Sequence, residues 1–141
     1  TAHRSISAKQ ARKLMTTPNA APDAVGSHVL LDAWDCHMPL AQAPLEAVLV
    51  AAAQAAGARV LGVYFHDFEA TAAGTVPGRT GVVLLAESHI TVHTWPENGF
   101  IAIDIFMCGS CDPDLAADYI VNALQPARHH RTQIARGKGA T

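Results

Sequence analysis

The sequence predicts an α+β fold: a two-layer α/β sandwich whose mainly antiparallel sheet carries its helices on one face. Two observations lead to this prediction. Strand and helix signals follow one another in the order βαβββαβ, with no internal repeat or low-complexity segment. Three of the β-rich runs are also separated by little or no intervening chain, and this order favours a layered α+β sheet.

The first half of the chain supplies two strands and one helix. HVLLDAW at 28–34 and ARVLGVYFHDF at 58–68 are the strand candidates. Between them, the segment 39–56 is rich in alanine and leucine, with prolines near its start and Gly57 just past its end. Those are helix start and stop signals, so this segment is predicted to be a helix.

The second half supplies three successive strands, a helix and a last strand. The three strands are TGVVLLAE at 80–87, SHITVHTW at 88–95 and GFIAIDIFM at 99–107. Asp112 ahead of Pro113 has the N-cap and N1 signature of a helix over CDPDLAADYIVNALQP. HHRTQIA at 129–135 is the predicted last strand.

Length and composition indicate one packed domain. The 141 residues suit a single core, and a composition that is 50% hydrophobic and 16% charged is that of a globular protein. Residues 1–26 show little periodicity and are predicted to form a flexible N-terminal extension, which leaves 27–141 as the domain. The net charge of −2 argues against nucleic acid as the main partner.

The sequence predicts a cytoplasmic protein. No apolar run reaches the roughly 20 residues that a membrane-spanning helix needs. The first residues lack the apolar core of a secretory signal. The 3 cysteines are an odd number and do not form a disulfide framework, so a reducing compartment is expected.

A CxxC motif, Cys108-Gly-Ser-Cys111, lies between a predicted strand and a predicted helix. A thioredoxin-type redox pair would occupy such a position, but too little chain follows it for that fold. A deaminase-type zinc site would need a proline before Cys108 and an upstream HxE, whereas Met107 precedes it and the spacing of 66–69 is wrong. Two thiols at a strand end, one of them buried and inert, are the favoured interpretation.

Histidines and serines could also suggest a metal or hydrolase site. The 8 histidines are scattered, which favours surface or hydrogen-bonded core residues over metal ligands. Ser88, His93 and Asp104 could form a hydrolase triad, but no GxSxG elbow surrounds the serine.

The most informative stretch is LLAESHITVHTWPE at 84–97, where polar groups interrupt an apolar strand. Buried polar groups are costly unless they are paired. Strict strand alternation puts Ser88 and His93 on opposite faces, so the two can meet only if the backbone turns or is broken near Ser88.

AESHITVHTWPE followed by DIFMCG resembles the prokaryotic S-adenosylmethionine decarboxylase proenzymes. Their matching segments read approximately AESH-x-x-x-HTWPE and D-x-F-x-CG, and the spacing from Ser88 to His93 to Cys108 fits. The resemblance extends from GSHVLLDAWDC near residue 26 through VYFHDF to the last strand.

This resemblance implies a self-processing carboxy-lyase of polyamine biosynthesis. The chain would cut itself between Glu87 and Ser88 into a β chain of 1–87 and an α chain of 88–141. Ser88 would become a pyruvoyl group that forms a Schiff base with S-adenosylmethionine, with no metal and no pyridoxal phosphate.

The resemblance also implies roles for five further residues. His93 would drive the processing step and Cys108 would donate a proton to the product, while Thr80 stands at the place of a serine that supports processing. Phe68 and Glu97 would bind substrate. The protomers would pair as an αββα homodimer with active sites near the interface.

One segment departs from the family pattern. The stretch EATAAGTVPGRTG that leads to Thr80 is several residues longer than in the family and lies next to the expected adenosine pocket. Two alternatives therefore stay open: the same fold and chemistry acting on L-ornithine or L-arginine, and an unprocessed, non-catalytic paralogue.

Overall fold

The computed structural model describes residues 23–70 and 72–139. The strands are β1 (Gly26–Cys36), β2 (Val60–Asp67), β3 (Arg79–Leu85), β4 (Ser88–Trp95), β5 (Phe100–Cys108) and β6 (Pro126–Arg136). The helices are α1 (Gln42–Ala55) and α2 (Pro113–Leu124), and a 3-10 turn spans Pro96–Asn98. All six strands and both helices named from the sequence are present, and the observed order is βαββββαβ, one strand longer than the predicted βαβββαβ.

The strands form one six-stranded sheet in the order β2-β3-β4-β5-β1-β6. Each neighbouring pair is antiparallel, which confirms the predicted fold class. β1 lies between β5 and β6, so the first strand of the described residues pairs with strands that come much later in the sequence.

The core lies between the two helices and one face of the sheet. In β4, Ile90, Val92 and Thr94 are buried while the alternate residues are half-buried or exposed, as period-two alternation requires. The helices contribute fully buried leucines and alanines, among them Leu45 and Leu49 of α1. Burying such apolar side chains is the main force that holds the two layers together.

A proline lies in the first turn of each helix, and the second helix also has a capping side chain. Asp112 caps α2 by accepting a hydrogen bond from the backbone N–H of Asp114 at 3.0 Å, and Pro113 follows it, as predicted. α1 begins at Gln42, later than the predicted residue 39. Pro44 therefore lies in the first helical turn, where a missing N–H removes no helical hydrogen bond.

Among residues 23–70 and 72–139, no helix covers the second face of the sheet, and this face exposes large apolar side chains. Tyr64, Leu84, Trp95 and Ile134 are 70%, 52%, 40% and 42% exposed. An antiparallel sheet that faces only water normally shows polar side chains on that face. This uncovered face is therefore unusually apolar for a solvated surface.

The predicted N-terminal extension lies mostly outside the described residues, which begin at residue 23. Its predicted end is slightly late, because Gly26 already pairs with Cys108 and Arg136 in the sheet. Within residues 23–70 and 72–139, no helix is long and apolar enough to cross a membrane.

Candidate active site

The junction of β3 and β4 holds a strained serine. The strands are joined by a tight turn at Ala86 and Glu87, and Ser88 opens β4 with a φ of 139°. A residue with a side chain rarely adopts a positive φ, because its Cβ then crowds the backbone. Strain is therefore stored beside the Glu87–Ser88 peptide bond.

Main-chain groups fix this turn from two sides. The carbonyl oxygen of Glu87 accepts a hydrogen bond from the Cys108 N–H at 3.1 Å. The Glu87 carboxylate accepts one from the Arg59 N–H at 2.9 Å, and the Ala86 N–H donates to the Arg59 carbonyl at 2.9 Å. An N–H directed at a carbonyl oxygen stabilises the negative charge that a nucleophilic attack would place there.

Cys108 ends β5 next to this turn and is half-buried. Cys111 is buried, and burial, together with the nearby Glu87 and Cys108, raises the pKa of its thiol. A thiol with a raised pKa is a poor nucleophile, which agrees with the predicted inert partner in the CxxC motif. Within residues 23–70 and 72–139, no cluster of three or more potential metal ligands is present.

His93 and Thr80 form a second group of polar side chains, on neighbouring strands. The two residues are direct partners in the β3–β4 ladder, and Thr80 Oγ1 lies 2.9 Å from His93 Nδ1. The hydroxyl can either donate to this nitrogen or accept from it, depending on the tautomer. The contact therefore fixes the orientation of the ring on the uncovered face.

Next to His93 a cleft of about 380 Å³ opens between the β2–β3 loop and the end of β4. Phe68, Trp95 and Glu97 line it together with His93. Phe68 is 52% exposed and Glu97 is exposed on the 3-10 turn, so both are accessible to a ligand. An aromatic ring and a carboxylate in one cleft suit a ligand with a flat ring and hydroxyl groups.

The candidate residues thus fall into two groups at opposite ends of β4. The cleavage end consists of Glu87, Ser88 and Cys108. The cleft end consists of Phe68, Thr80, His93 and Glu97.

β4 keeps these two groups apart. It stays regularly paired with β5 from Ser88 to Trp95, and a strand rises about 3.3 Å per residue, so Ser88 and His93 are about 16 Å apart. A turn or break that brings the two together in one chain was a sequence-based possibility, and the structure excludes it. The positive φ changes the backbone at Ser88 without ending the strand.

The alternative triad of Ser88, His93 and Asp104 is not assembled. Asp104 accepts a hydrogen bond from Thr91 at 3.2 Å and lies 3.6 Å from His28. Its place on β5 is opposite Thr91, whereas His93 lies opposite Ala102.

An ion pair beside the cleft was missed by the sequence analysis. Arg79 and Asp67 are partners in the β2–β3 ladder, and the two side chains form two hydrogen bonds at 3.0 and 3.1 Å. The available signal was an acid one residue before the end of a predicted strand and a base just before the next strand. The intervening run of small residues obscured it.

Fold and site together define an α+β protein whose sheet carries a strained Glu–Ser junction, a neighbouring thiol and a separate ligand cleft. Comparison with known proteins identifies the family. Residues 27–137 match the family model described as S-adenosylmethionine decarboxylase. The chain belongs to this family, as the resemblance of its motifs predicted.

Individual relatives agree with this assignment. The S-adenosylmethionine decarboxylase proenzyme of Bacillus velezensis is 38% identical over 119 residues, which are 83% of this chain and 90% of the relative. The proenzyme of Thermodesulfovibrio yellowstonii is 43% identical over 118 residues, or 81% and 82% of the two chains. The crystal structure of the adenosylmethionine decarboxylase from Aquifex aeolicus VF5 has a TM-score of 0.66 at 30% identity, covering 82% of this chain and 92% of that one.

Proposed function

We propose that this protein cuts its own chain at Glu87–Ser88 and then decarboxylates S-adenosylmethionine with a pyruvoyl group made from Ser88. The relatives named as S-adenosylmethionine decarboxylase proenzymes support both the substrate and the processing. One observation carries the proposal: the peptide bond to be cut has a strained serine on one side and an anchored carbonyl on the other.

Processing begins with the Ser88 hydroxyl. Its oxygen attacks the carbonyl carbon of Glu87, the peptide C–N bond breaks, and the hydroxyl proton passes to the freed amine of Ser88. An ester replaces the amide. The Cys108 N–H supports this step because it donates to the carbonyl oxygen on which negative charge develops. Breaking the peptide bond also frees Ser88 from its strained conformation.

The second stage converts Ser88 into a ketone. A base removes the Cα proton of Ser88, and the main-chain carboxylate of Glu87 leaves with the electrons of the ester C–O bond. Water then hydrolyses the resulting dehydroalanine, and ammonia is released. The products are a chain of residues 1–87 and a chain of 88–141 that begins with the pyruvoyl group.

His93 is the base for the elimination, and it comes from a second copy of the chain. Within one chain it is about 16 Å from Ser88, which is too far for proton transfer. A homodimer that pairs the uncovered faces of two sheets, as αββα, brings the cleavage end of each copy to the cleft end of the other. The exposed apolar side chains of that face support this packing.

The pyruvoyl ketone supplies the electron sink that decarboxylation of an amino acid requires. Side chains of the protein bind the substrate and protonate the product. Phe68 stacks on the adenine ring, and Glu97 accepts hydrogen bonds from the ribose hydroxyls. Cys108 donates a proton to the product carbon, since a thiol gives and regains a proton near neutral pH. The cytoplasm, where thiols stay reduced, suits this chemistry.

The experiment that tests the substrate is CO2 release from carboxyl-labelled S-adenosylmethionine, L-ornithine and L-arginine, each supplied alone. The proposal predicts release from S-adenosylmethionine only. The matched control is the Ser88→Ala protein, which should release none from any of the three. Release from ornithine or arginine but not from S-adenosylmethionine would overturn the proposed substrate while leaving the processing chemistry intact.

A further inference from the structure

The loop between β2 and β3 is fixed at its base by an ion pair between a buried arginine and an exposed aspartate. Arg79, the first residue of β3, is only 6% exposed. Its Nε donates to Asp67 Oδ1 at 3.0 Å and its Nη2 donates to Asp67 Oδ2 at 3.1 Å. Two parallel hydrogen bonds between charged groups fix orientation as well as distance. Asp67 is the last residue of β2 and directly precedes Phe68.

The same arginine also connects the loop to two other parts of the molecule. Its Nη1 donates to the carbonyl oxygen of Leu40, just before α1, at 2.6 Å. Its backbone N–H donates to the hydroxyl of Thr94 near the end of β4 at 3.0 Å. The guanidinium is therefore satisfied on all three nitrogens, and a buried charge of this kind is costly to leave without its partners.

Backbone contacts place Phe68 in the same framework. The Phe68 N–H donates to the carbonyl of Gly78 at 2.8 Å, which closes the base of the loop. A Cβ on Gly78 would meet the Thr94 carbonyl oxygen at 2.8 Å, so the returning chain passes tightly against β4. Phe68 therefore lines the cleft from a fixed backbone. The ion pair of Asp67 holds the residue before it, and the hydrogen bond to Gly78 holds its own N–H.

Arg79 also borders two cavities. The cleft of about 380 Å³ and a neighbouring cavity of about 520 Å³ beside residues 35–41 share Val76 and Arg79 in their linings. Arg79 therefore borders the cleft itself as well as the neighbouring cavity. Loss of the ion pair would therefore affect both Phe68 and a residue that lines the cleft directly.

We propose that Asp67 and Arg79 are positioning residues that set the affinity of the cleft for the adenosyl group by holding Phe68 in place. This inference rests on the proposed function, because Phe68 is the residue that contacts the adenine ring there. The pair contacts neither Ser88 nor Cys108 and lies at the other end of β4. Its loss should therefore change substrate binding much more than turnover.

The test is Asp67→Asn, which keeps the size of the side chain and removes its charge. The KM for S-adenosylmethionine should rise by about tenfold with kcat within about twofold of wild type, the pattern of lost ground-state and transition-state binding together. The matched control is Asp118→Asn, the same change in the exposed ion pair with Arg131, which should leave KM unchanged. An unchanged KM in Asp67→Asn, or a fall in kcat that tracks a lower Tm, would overturn the inference.

A double variant tests whether the two side chains act as a unit. Arg79→Met combined with Asp67→Asn should raise KM no further than the more damaging single change, because either change already breaks the pair. Arg79→Lys keeps the charge but cannot form both parallel hydrogen bonds, so its KM should lie between those of wild type and Arg79→Met. Fully additive effects on KM would contradict a joint role.

Equilibrium binding separates this inference from the proposed function. The Kd of 5′-methylthioadenosine is measured by calorimetry on the uncut Ser88→Ala protein, with and without Asp67→Asn. Weaker binding in the double variant supports the inference even if wild type releases no CO2. Equal binding, or no binding to either protein, overturns the inference even if wild type decarboxylates S-adenosylmethionine.

Discussion

The two ends of β4 differ in how they hold their polar groups. At the cleavage end, main-chain groups fix Glu87 and Ser88, and strain resides in the backbone itself. At the cleft end, side chains position the functional groups: a threonine orients His93, and an ion pair supports Phe68. Substitutions should therefore act differently at the two ends, since a side-chain change leaves backbone N–H donors in place.

The largest effect is expected for Ser88→Ala. Without the hydroxyl there is no nucleophile for the Glu87 carbonyl, so no cleavage and no pyruvoyl group can arise. Intact mass under denaturing conditions should show a single species at 14.8 kDa after long incubation, whereas wild type yields two fragments cut after Glu87. Ser110→Ala, a change in an exposed serine nearby, should cleave like wild type.

Cys108→Ala sharpens the contrast between backbone and side chain. The alanine keeps the N–H that donates to the Glu87 carbonyl, so self-cleavage should continue at a similar rate. Loss of the thiol should lower kcat about 100-fold or more, the usual effect of removing a proton donor. Cleavage is followed on denaturing gels and turnover by CO2 release, and Cys111→Ala is the control for both.

Full turnover by the Cys108→Ala protein would remove the thiol from the mechanism. Failure to cleave would show that the side chain, and not only the backbone N–H, is needed at the cleavage end.

Thr80→Val should have the smallest effect of the three. Valine keeps the shape of threonine but removes the hydroxyl at 2.9 Å from His93 Nδ1. Loss of one hydrogen bond, about 1 kcal/mol, corresponds to cleavage about fivefold slower. Thr80→Ser keeps the hydroxyl and should process at nearly the wild-type rate. Equal rates for the valine and serine variants would show that this contact does not orient the histidine.

Local signals made most of the fold predictable. The Asp112–Pro113 cap, the alternation in β4 and the short connections around it depend on neighbouring residues, and all were confirmed. The insertion of β1 between β5 and β6 depends on pairing between residues far apart in sequence, such as Gly26 with Arg136. No local pattern carries that information.

The sequence named candidate site residues, but it did not show how far apart they lie. Ser88 and His93 are close in sequence, yet an extended strand converts that short interval into about 16 Å. The Asp67–Arg79 pair shows the opposite case, since two residues separated by a long loop become ladder partners. Both cases show that separation along the chain is a poor guide to distance within a sheet.

The most direct test of a site shared between two copies is complementation between two inactive chains. Ser88→Ala keeps His93, and His93→Ala keeps Ser88, so each variant carries one intact end of β4. The two chains are co-expressed with tags of different mass, and mixed dimers are isolated and analysed by denaturing mass spectrometry. A shared site predicts that the His93→Ala chain is cut after Glu87 in mixed dimers but hardly at all alone, while the Ser88→Ala chain stays whole. Rapid cleavage of His93→Ala alone, or none in the mixed dimers, would contradict it.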